Sequence, residues 1–251
     1  MLHHPFAAET LKGRDPVRVV DVCSGVGIAG YAFSKVLIEK GYRVELTLVD
    51  VRQDVLLKAR EWISGELAVK PTIHIVDAKV LHKVNDEYDL ALMWGSSSPH
   101  FDPWSMNTLL ASVSHVLSPR GLLVMQEADR FRMFLTRGCA DIMFVEDECS
   151  ARMVLDVFKG YDPVRGTCRR RVIDLRNPSR TAVINLYYWS VARLAALSWI
   201  FFEDVDVIKQ PSGNPLKHLI LAYKPRRALS PRQFLKSPYV LKNKEYTIRR
   251  I

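Results

Sequence analysis

Cysteine is scarce in this 251-residue chain, and nothing pairs what there is. Cys23, Cys139, Cys149 and Cys168 are scattered and show no Cys-x-x-Cys spacing, so neither a zinc site nor a disulfide framework organises the sequence. Long apolar runs are missing too. The most hydrophobic stretch, Trp189–Phe202, is too short to span a bilayer and carries Arg193. The start Met1-Leu-His-His-Pro-Phe6 has no charged-then-apolar signal pattern. The expectation is a reduced, cytoplasmic protein with no metal and no membrane partner. Asn and Gln are few beside Val, Ile, Arg and Lys, a composition that would suit a thermophile.

What is present is enough apolar material for a full core. With 48% hydrophobic residues in 251, the chain reads as one globular domain with room for an accessory element. Its most informative segment is Val17-Arg-Val-Val-Asp21-Val-Cys23-Ser-Gly25-Val-Gly27-Ile-Ala-Gly30. A β-branched run closed by an acid leads through small residues into an amphipathic stretch ending near Lys40, which predicts a buried strand, a glycine turn and a helix. Gly25 and Gly27 let a ligand lie against the backbone. The helix start beyond them offers free N–H groups and the positive end of a dipole.

Two nucleotide-type readings compete for this turn. Gly25-x-Gly27-x-x-Gly30 fits the dinucleotide pattern, and Asp50 follows about twenty residues on, as that fingerprint asks. Yet Asp21 ends the strand, and Val22-Cys23-Ser24 intervene before the first glycine. Val19-Val-Asp21-Val-x-x-Gly25-x-Gly27 resembles instead the first motif of class I S-adenosylmethionine-dependent methyltransferases, whose cofactor carries a carboxylate and a cationic amine but no pyrophosphate. Cys23 stands where that family usually has its first glycine, at a position that tolerates small residues.

Four further landmarks follow in order. Arg43–Asp50 reads as a second strand ending in an acid, with a helix from about Gln53 to Ile63 behind it; a carboxylate there can accept both ribose hydroxyls. Thr72–Ala78 reads as a third strand ending in Asp77-Ala78, and the resemblance places that acid against the adenine amino group. Tyr88–Gly95 is a fourth strand. A helix through Leu109–Leu117, a turn Ser118-Pro-Arg-Gly121 and a strand Leu122–Gln126 complete the fifth unit. The resemblance thus covers residues 17–127 and assigns the cofactor to Asp21, Cys23, Gly25, Gly27, Asp50, Val51, Asp77, Ala78, Trp94 and Gly95.

The implied fold is α/β: a doubly wound, Rossmann-like seven-stranded sheet with an antiparallel last strand, plus an inserted antiparallel lid. The divisions expected are 1–127 for the cofactor half, 128–188 for the insertion, 189–224 for the rest of the methyltransferase domain and 225–251 for a basic tail. The last two strands fit Asp204–Lys209 and His218–Tyr223, joined by Gln210–Pro215 and preceded by a helix Trp189–Trp199. The insertion is too long for a bare connection. It reads as helical material over roughly Arg130–Glu148, then a meander of Arg152–Phe158, Thr167–Asp174 and Thr181–Tyr188 with turns at Gly160–Gly166 and Arg176–Ser179. Enzymes resembling the glycine and quinone-precursor methyltransferases carry a similar element folded over the cofactor.

No catalytic dyad stands out. The loop Trp94-Gly-Ser-Ser-Ser-Pro-His100-Phe101 leaves the fourth strand at the sheet edge where open α/β sheets bind ligands, and it lacks the Asn/Asp-Pro-Pro-Tyr/Phe signature of amino-methylating nucleic-acid enzymes. His100 is the candidate catalytic base, against the plainer reading of a surface histidine. Asp102-Pro103 reads as a helix cap, and Tyr187, Tyr188 and Trp189 read as core more than pocket. Glu127 and Asp129 either face the site or merely precede the insertion.

Charge is uneven. From Lys224 onward nine basic residues stand against Glu245, which is nearly all of the overall net charge of +9. Interleaved with Phe234, Tyr239 and Tyr246, they could track phosphates, but a solvated extension, or one packed on its own body or on a neighbour in a homodimer, is preferred. Ser230-Pro-Arg-Gln233 reads as a capping box. The expectation is methyl transfer from S-adenosylmethionine to a small-molecule acceptor. An RNA or protein methyltransferase using the basic tail, with nucleic acid as partner, and a catalytically silent cofactor-binding protein stay open as alternatives.

Overall fold

A computed structural model describes residues 2–95, 97–137, 142–147, 152–209 and 217–242. Cys139, Cys149, Ser96, the 210–215 connection and the tail residues Lys244, Glu245, Tyr246, Arg249 and Arg250 lie outside them.

The first half alternates strand and helix: β1 Val17–Val22, α2 Ile28–Glu39, β2 Val44–Asp50, α3 Gln53–Glu66, β3 Thr72–Ile75, a 3-10 turn Ala78–Lys83, and β4 Tyr88–Met93. A 3-10 turn Ser98–His100, α4 Pro103–Val116 and β5 Leu117–Ala128 follow. A short α1, Pro5–Leu11, precedes them. After the insertion come α6 Val191–Phe201, β10 Phe202–Lys209, β11 Lys217–Pro225 and a one-turn α7 Pro231–Phe234. The strands form one seven-stranded sheet in the order β10-β11-β5-β4-β1-β2-β3, with β11 antiparallel to both neighbours. The order reverses between β1 and β4, and crossovers run to either side, so both faces are covered.

β1 feeds two cores. Val20 and Val22 join Met106, Leu109, Leu194 and Phe201 beneath α4 and α6. Val17 and Val19 join Leu37, Leu56, Ala59 and Ile63 beneath α2 and α3. The period-2 alternation of β1 against the i, i+3, i+7 spacing of Leu56, Ala59 and Ile63 is what lets one chain line both layers.

The structure adjusts several boundaries. β3 stops at Ile75 because the Asp77 side chain accepts a hydrogen bond from Lys79 N–H at 3.0 Å and caps the following 3-10 turn. Ser118-Pro-Arg-Gly121 is a bulge inside β5 and not a separate turn: Tyr88 pairs with Leu117 while Leu90 pairs with Leu122. A Cβ on Gly121 would sit 2.7 Å from Leu117 Cβ, so the excursion closes only on glycine.

The insertion also differs from expectation. Helix α5 spans Arg130–Arg137, and Ile142–Asp147 is a strand, β6. It pairs antiparallel with β7, Arg152–Asp162, giving a four-stranded sheet β6-β7-β8-β9 with β8 Thr167–Asp174 and β9 Thr181–Tyr187. An apolar run such as Ile-Met-Phe-Val has no helical or strand signature of its own, and long-range pairing decides it. β7 runs on through Gly160 to Asp162 by way of a register shift after Phe158, so the turn shrinks to the residues before Gly166.

Candidate functional site

The C-terminal ends of β1, β2 and β4 open on a cavity of about 710 Å³. Asp21, Cys23, Gly25, Asp50, Val51, Asp77, Ala78, Trp94, Gly95 and His100 all lie on its wall. Gly27 does not. It is the N-cap of α2 at φ 78°, and a Cβ there would meet Ile63 Cδ1 at 2.8 Å. Its glycine identity serves the left-handed turn and the packing of that turn against α3.

Asp21, the last residue but one of β1, is almost fully buried and accepts the Gly30 N–H at 2.8 Å on Oδ2. It thereby caps the start of α2 from across the turn. Burial pushes its carboxyl up to about 7, the Gly30 N–H pulls the other way, and Asp50 adds to the rise. Cys23 sits in the turn at φ 58°, a left-handed conformation uncommon for a side chain with a Cβ. Burial, then the charges of Asp50, Asp21 and Asp77, push its thiol up to about 12. Gly25, at φ 53°, donates its N–H to Asp50 Oδ2 at 2.9 Å and ties the ends of β1 and β2 together.

Asp50 is held on all sides. Its Oδ1 accepts from Arg52 N–H at 3.1 Å and Arg52 Nε at 2.9 Å, and its Oδ2 accepts from Arg52 Nη2 at 3.1 Å beside the Gly25 bond. Burial raises the carboxyl, but the Arg52 and Gly25 bonds outweigh it and hold Asp50 below the ordinary carboxylate range. Asp77 pairs with Lys79 Nζ at 3.1 Å. Val51 lies 64% exposed on the wall, and Val26 and Ile28 are exposed there as well, so apolar side chains face the cavity and not the core.

The opposite wall comes from the β4 loop. Trp94 packs edge-on to Phe33 with centroids 5.5 Å apart, and Gly95 turns at φ 76°. His100 is exposed on the wall, beside Ser97, Phe101 and Ser105. The loop is braced from behind. Glu127, buried at the end of β5, accepts from Ser98 Oγ and from Arg130. Burial raises Glu127 above the usual carboxylate range despite Arg130 and Ser98. Trp189, two residues beyond β9, donates its indole N–H to the carbonyls of Ser98 and Phe101 at 3.1 and 3.0 Å. Glu127 therefore supports the site from outside the cavity, whereas Asp129 caps α5 by accepting from Arg132 N–H. The insertion touches the same region through Arg165 Nη1, 2.5 Å from Asp102 Oδ2, and through Trp104 Nε1, which donates to Val164 O.

Arg52, Lys79 and Ser105 also lie on the wall, and the sequence does not single them out. Their signal is weak: charged and hydroxyl residues at the first turn of a helix read as solvated caps. Among the described residues no cluster of His, Cys, Asp and Glu could hold a metal, and no helix is long and apolar enough to cross a membrane.

The donor set fits S-adenosylmethionine. Three carboxylates line the cavity, and the cations on its wall, Arg52 and Lys79, are already paired with two of them. Such a wall suits a ligand carrying ammonium and sulfonium charge and repels a pyrophosphate. Ser24 Oγ, buried on the same wall with no hydrogen-bond partner among the described residues, is a further polar contact for it.

Comparison with known proteins agrees. Residues 19–121 match the methyltransferase domain family. No curated protein matches the chain. Among solved structures, the fold is shared with an S-adenosylmethionine-dependent methyltransferase from Clostridium acetobutylicum (TM-score 0.61, 13% identity, 82% of this chain and 83% of that one). It is shared also with the CcbJ methyltransferase from Streptomyces caelestis (TM-score 0.61, 17% identity, 88% and 86%). The glycopeptide N-methyltransferase MtfA, solved with S-adenosylmethionine, aligns with a TM-score of 0.52 at 15% identity over 85% of this chain and 90% of that one. Residues 19–121 thus match a methyltransferase domain, and the chain shares its fold with solved S-adenosylmethionine-dependent methyltransferases.

Proposed function

We propose that the protein methylates a small-molecule acceptor bound against the Trp94–Phe101 loop. The observation that carries this reading is the joining of the two walls. The strand-end acids and the His100 loop face one cavity of about 710 Å³, a volume of the kind that holds small ligands. MtfA, a fold neighbour whose acceptor is a glycopeptide, supports the same class of substrate.

In this reading Asp21, Asp50 and Asp77 hold the cofactor, with Gly25 allowing close approach and Val51 and Ala78 flanking the base. Bound there, S-adenosylmethionine supplies a methyl group already activated by its sulfonium. The protein's task is alignment and exclusion of water, followed by removal of the acceptor's proton where it has one. His100 accepts that proton: its imidazole makes no hydrogen bond among the described residues, and its place on the wall lets it reach an acceptor hydroxyl or amine. Glu127 and Trp189 fix the loop that carries it.

The test is transfer of labelled methyl from S-adenosylmethionine to fractionated metabolite and RNA pools, repeated with His100→Ala. Label in the metabolite fraction, lost or sharply reduced in the variant, is the expected result. Label confined to RNA overturns the proposal.

A further inference from the structure

We infer that Arg52 is a built-in competitor for the ribose site: its guanidinium occupies the face of Asp50 that a ribose diol needs, so cofactor binding displaces it. This rests on the reading of Asp50 as the acceptor of both ribose hydroxyls.

Valence forces the exchange. An ionised carboxylate offers about four acceptor positions. Asp50 accepts four hydrogen bonds, from Gly25 N–H, Arg52 N–H, Arg52 Nε and Arg52 Nη2, at 2.9 to 3.1 Å. A diol cannot be added to that set; it has to replace part of it. Two of the four donors are backbone groups that cannot leave, one fixed in the glycine turn and one at the start of α3. The other two belong to one side chain that is 58% exposed, while the Asp50 side chain is only 6% exposed. The guanidinium presents two parallel N–H donors to the two oxygens, which is the pattern a cis-diol presents with two O–H donors. The exchange therefore conserves the number of hydrogen bonds while it separates an ion pair. In return, the pair keeps Asp50 oriented before the ribose arrives.

The net worth of a half-exposed pair is up to about 1 kcal/mol, which is up to about fivefold in affinity. Arg52→Ala should then tighten S-adenosylhomocysteine binding by about two- to fivefold. Removing a cation also changes the general field, so a second probe is needed: the 2′,3′-dideoxy analogue of S-adenosylhomocysteine, which has no hydroxyls to compete. Calorimetric titration of wild type and Arg52→Ala with both probes gives the affinity ratio between them. Competition requires that this ratio rise by about two- to fivefold in the variant. Equal gains for both probes, no gain, or weaker binding of the hydroxylated probe overturns it. Asp50→Asn separates the two levels. If Asp50 holds the ribose, the ratio collapses toward unity in that variant, whatever Arg52 does. If the ratio keeps its wild-type value, the ribose reading fails and the competition with it.

Discussion

Trp189 and Phe101 are joined across the site: the indole N–H from the chain just past β9 lies 3.0 Å from the Phe101 carbonyl, at the end of the loop that carries His100. Trp189 is 2% exposed, and its ring packs on Tyr187 at 4.4 Å, so the bond is sheltered from water. Trp189→Phe keeps most of the aromatic volume and removes the donor, leaving the Ser98 and Phe101 carbonyls short of a partner. A loss of about 1–2 kcal/mol in stability is expected by denaturant titration. If the part of the loop from Ser97 to Phe101 faces the acceptor, as proposed, S-adenosylhomocysteine affinity should stay within about twofold. Turnover should fall. A large loss of cofactor affinity would show that Trp189 braces more than this loop.

Much of this arrangement is legible in the sequence, for a physical reason. An acid that ends a β-branched run is costly to bury without a purpose, so Asp21 and Asp50 announce themselves at the strand ends. Glycine is less readable. Gly25 and Gly27 look alike in the chain, but one lies on the cavity wall and the other keeps clear of Ile63, and only the fold separates these roles. Arg52 is invisible for the opposite reason: an arginine at a helix start reads as solvated until its fork is seen on Asp50. β6 is missed because its partner, β7, supplies the pairing that an apolar run cannot reveal by itself.

The buried Asp21 makes stability and binding depend on pH in a defined direction. Its folded value lies near 7 against 3.8 for an ordinary aspartate. A raised value means that the contribution is fully present below about pH 4 and is lost as pH rises through about 7. Asp21→Asn should therefore flatten the stability curve over that window, its melting temperature gaining on wild type as pH increases. Cofactor ammonium favours the ionised carboxylate, so binding near pH 6 should release protons. Calorimetry in buffers of different ionisation enthalpy would detect that release, and its absence in wild type would remove Asp21 from the cationic contact.

Cys23 lines the cavity but should be a poor nucleophile. The thiolate is the reactive form, and with the thiol pushed up to about 12 little of it exists at about pH 8. Peptide-resolved alkylation should show Cys23 modified slowly in the folded protein and rapidly once unfolded. The backbone sets a second constraint. At φ 58° glycine is the easiest replacement and a β-branched residue the hardest. Cys23→Gly should keep cofactor affinity within about threefold, whereas Cys23→Val should lower stability by about 1–2 kcal/mol and weaken binding.

The tail provides a way to separate a small-molecule enzyme from one acting on RNA. Its first part is bound to the body. Arg226 Nε donates to Phe202 O at 2.7 Å, Arg227 Nη1 donates to His115 O at 2.8 Å, and Phe234 packs on Phe201 with centroids 5.5 Å apart. Thr108 Oγ1 also donates to Phe234 O. These bonds engage two of the basic side chains on carbonyls, and a deletion beginning at Ser230 would strip α7 and its apolar packing. A cut after Leu235 spares them while removing Lys236, Lys242, Lys244, Arg249 and Arg250. For a small-molecule acceptor that truncation should leave the fold, S-adenosylhomocysteine binding and turnover close to wild type. If the tail instead tracks RNA phosphates, the intact protein binds RNA with a steep dependence on salt, and every phosphate no longer neutralised after truncation reduces the log–log slope by about 0.7–0.9. Fluorescence anisotropy with a structured RNA across a salt series measures this directly. We expect no salt-sensitive affinity in the intact chain; submicromolar binding that weakens with salt and disappears on truncation would transfer the acceptor from metabolites to RNA.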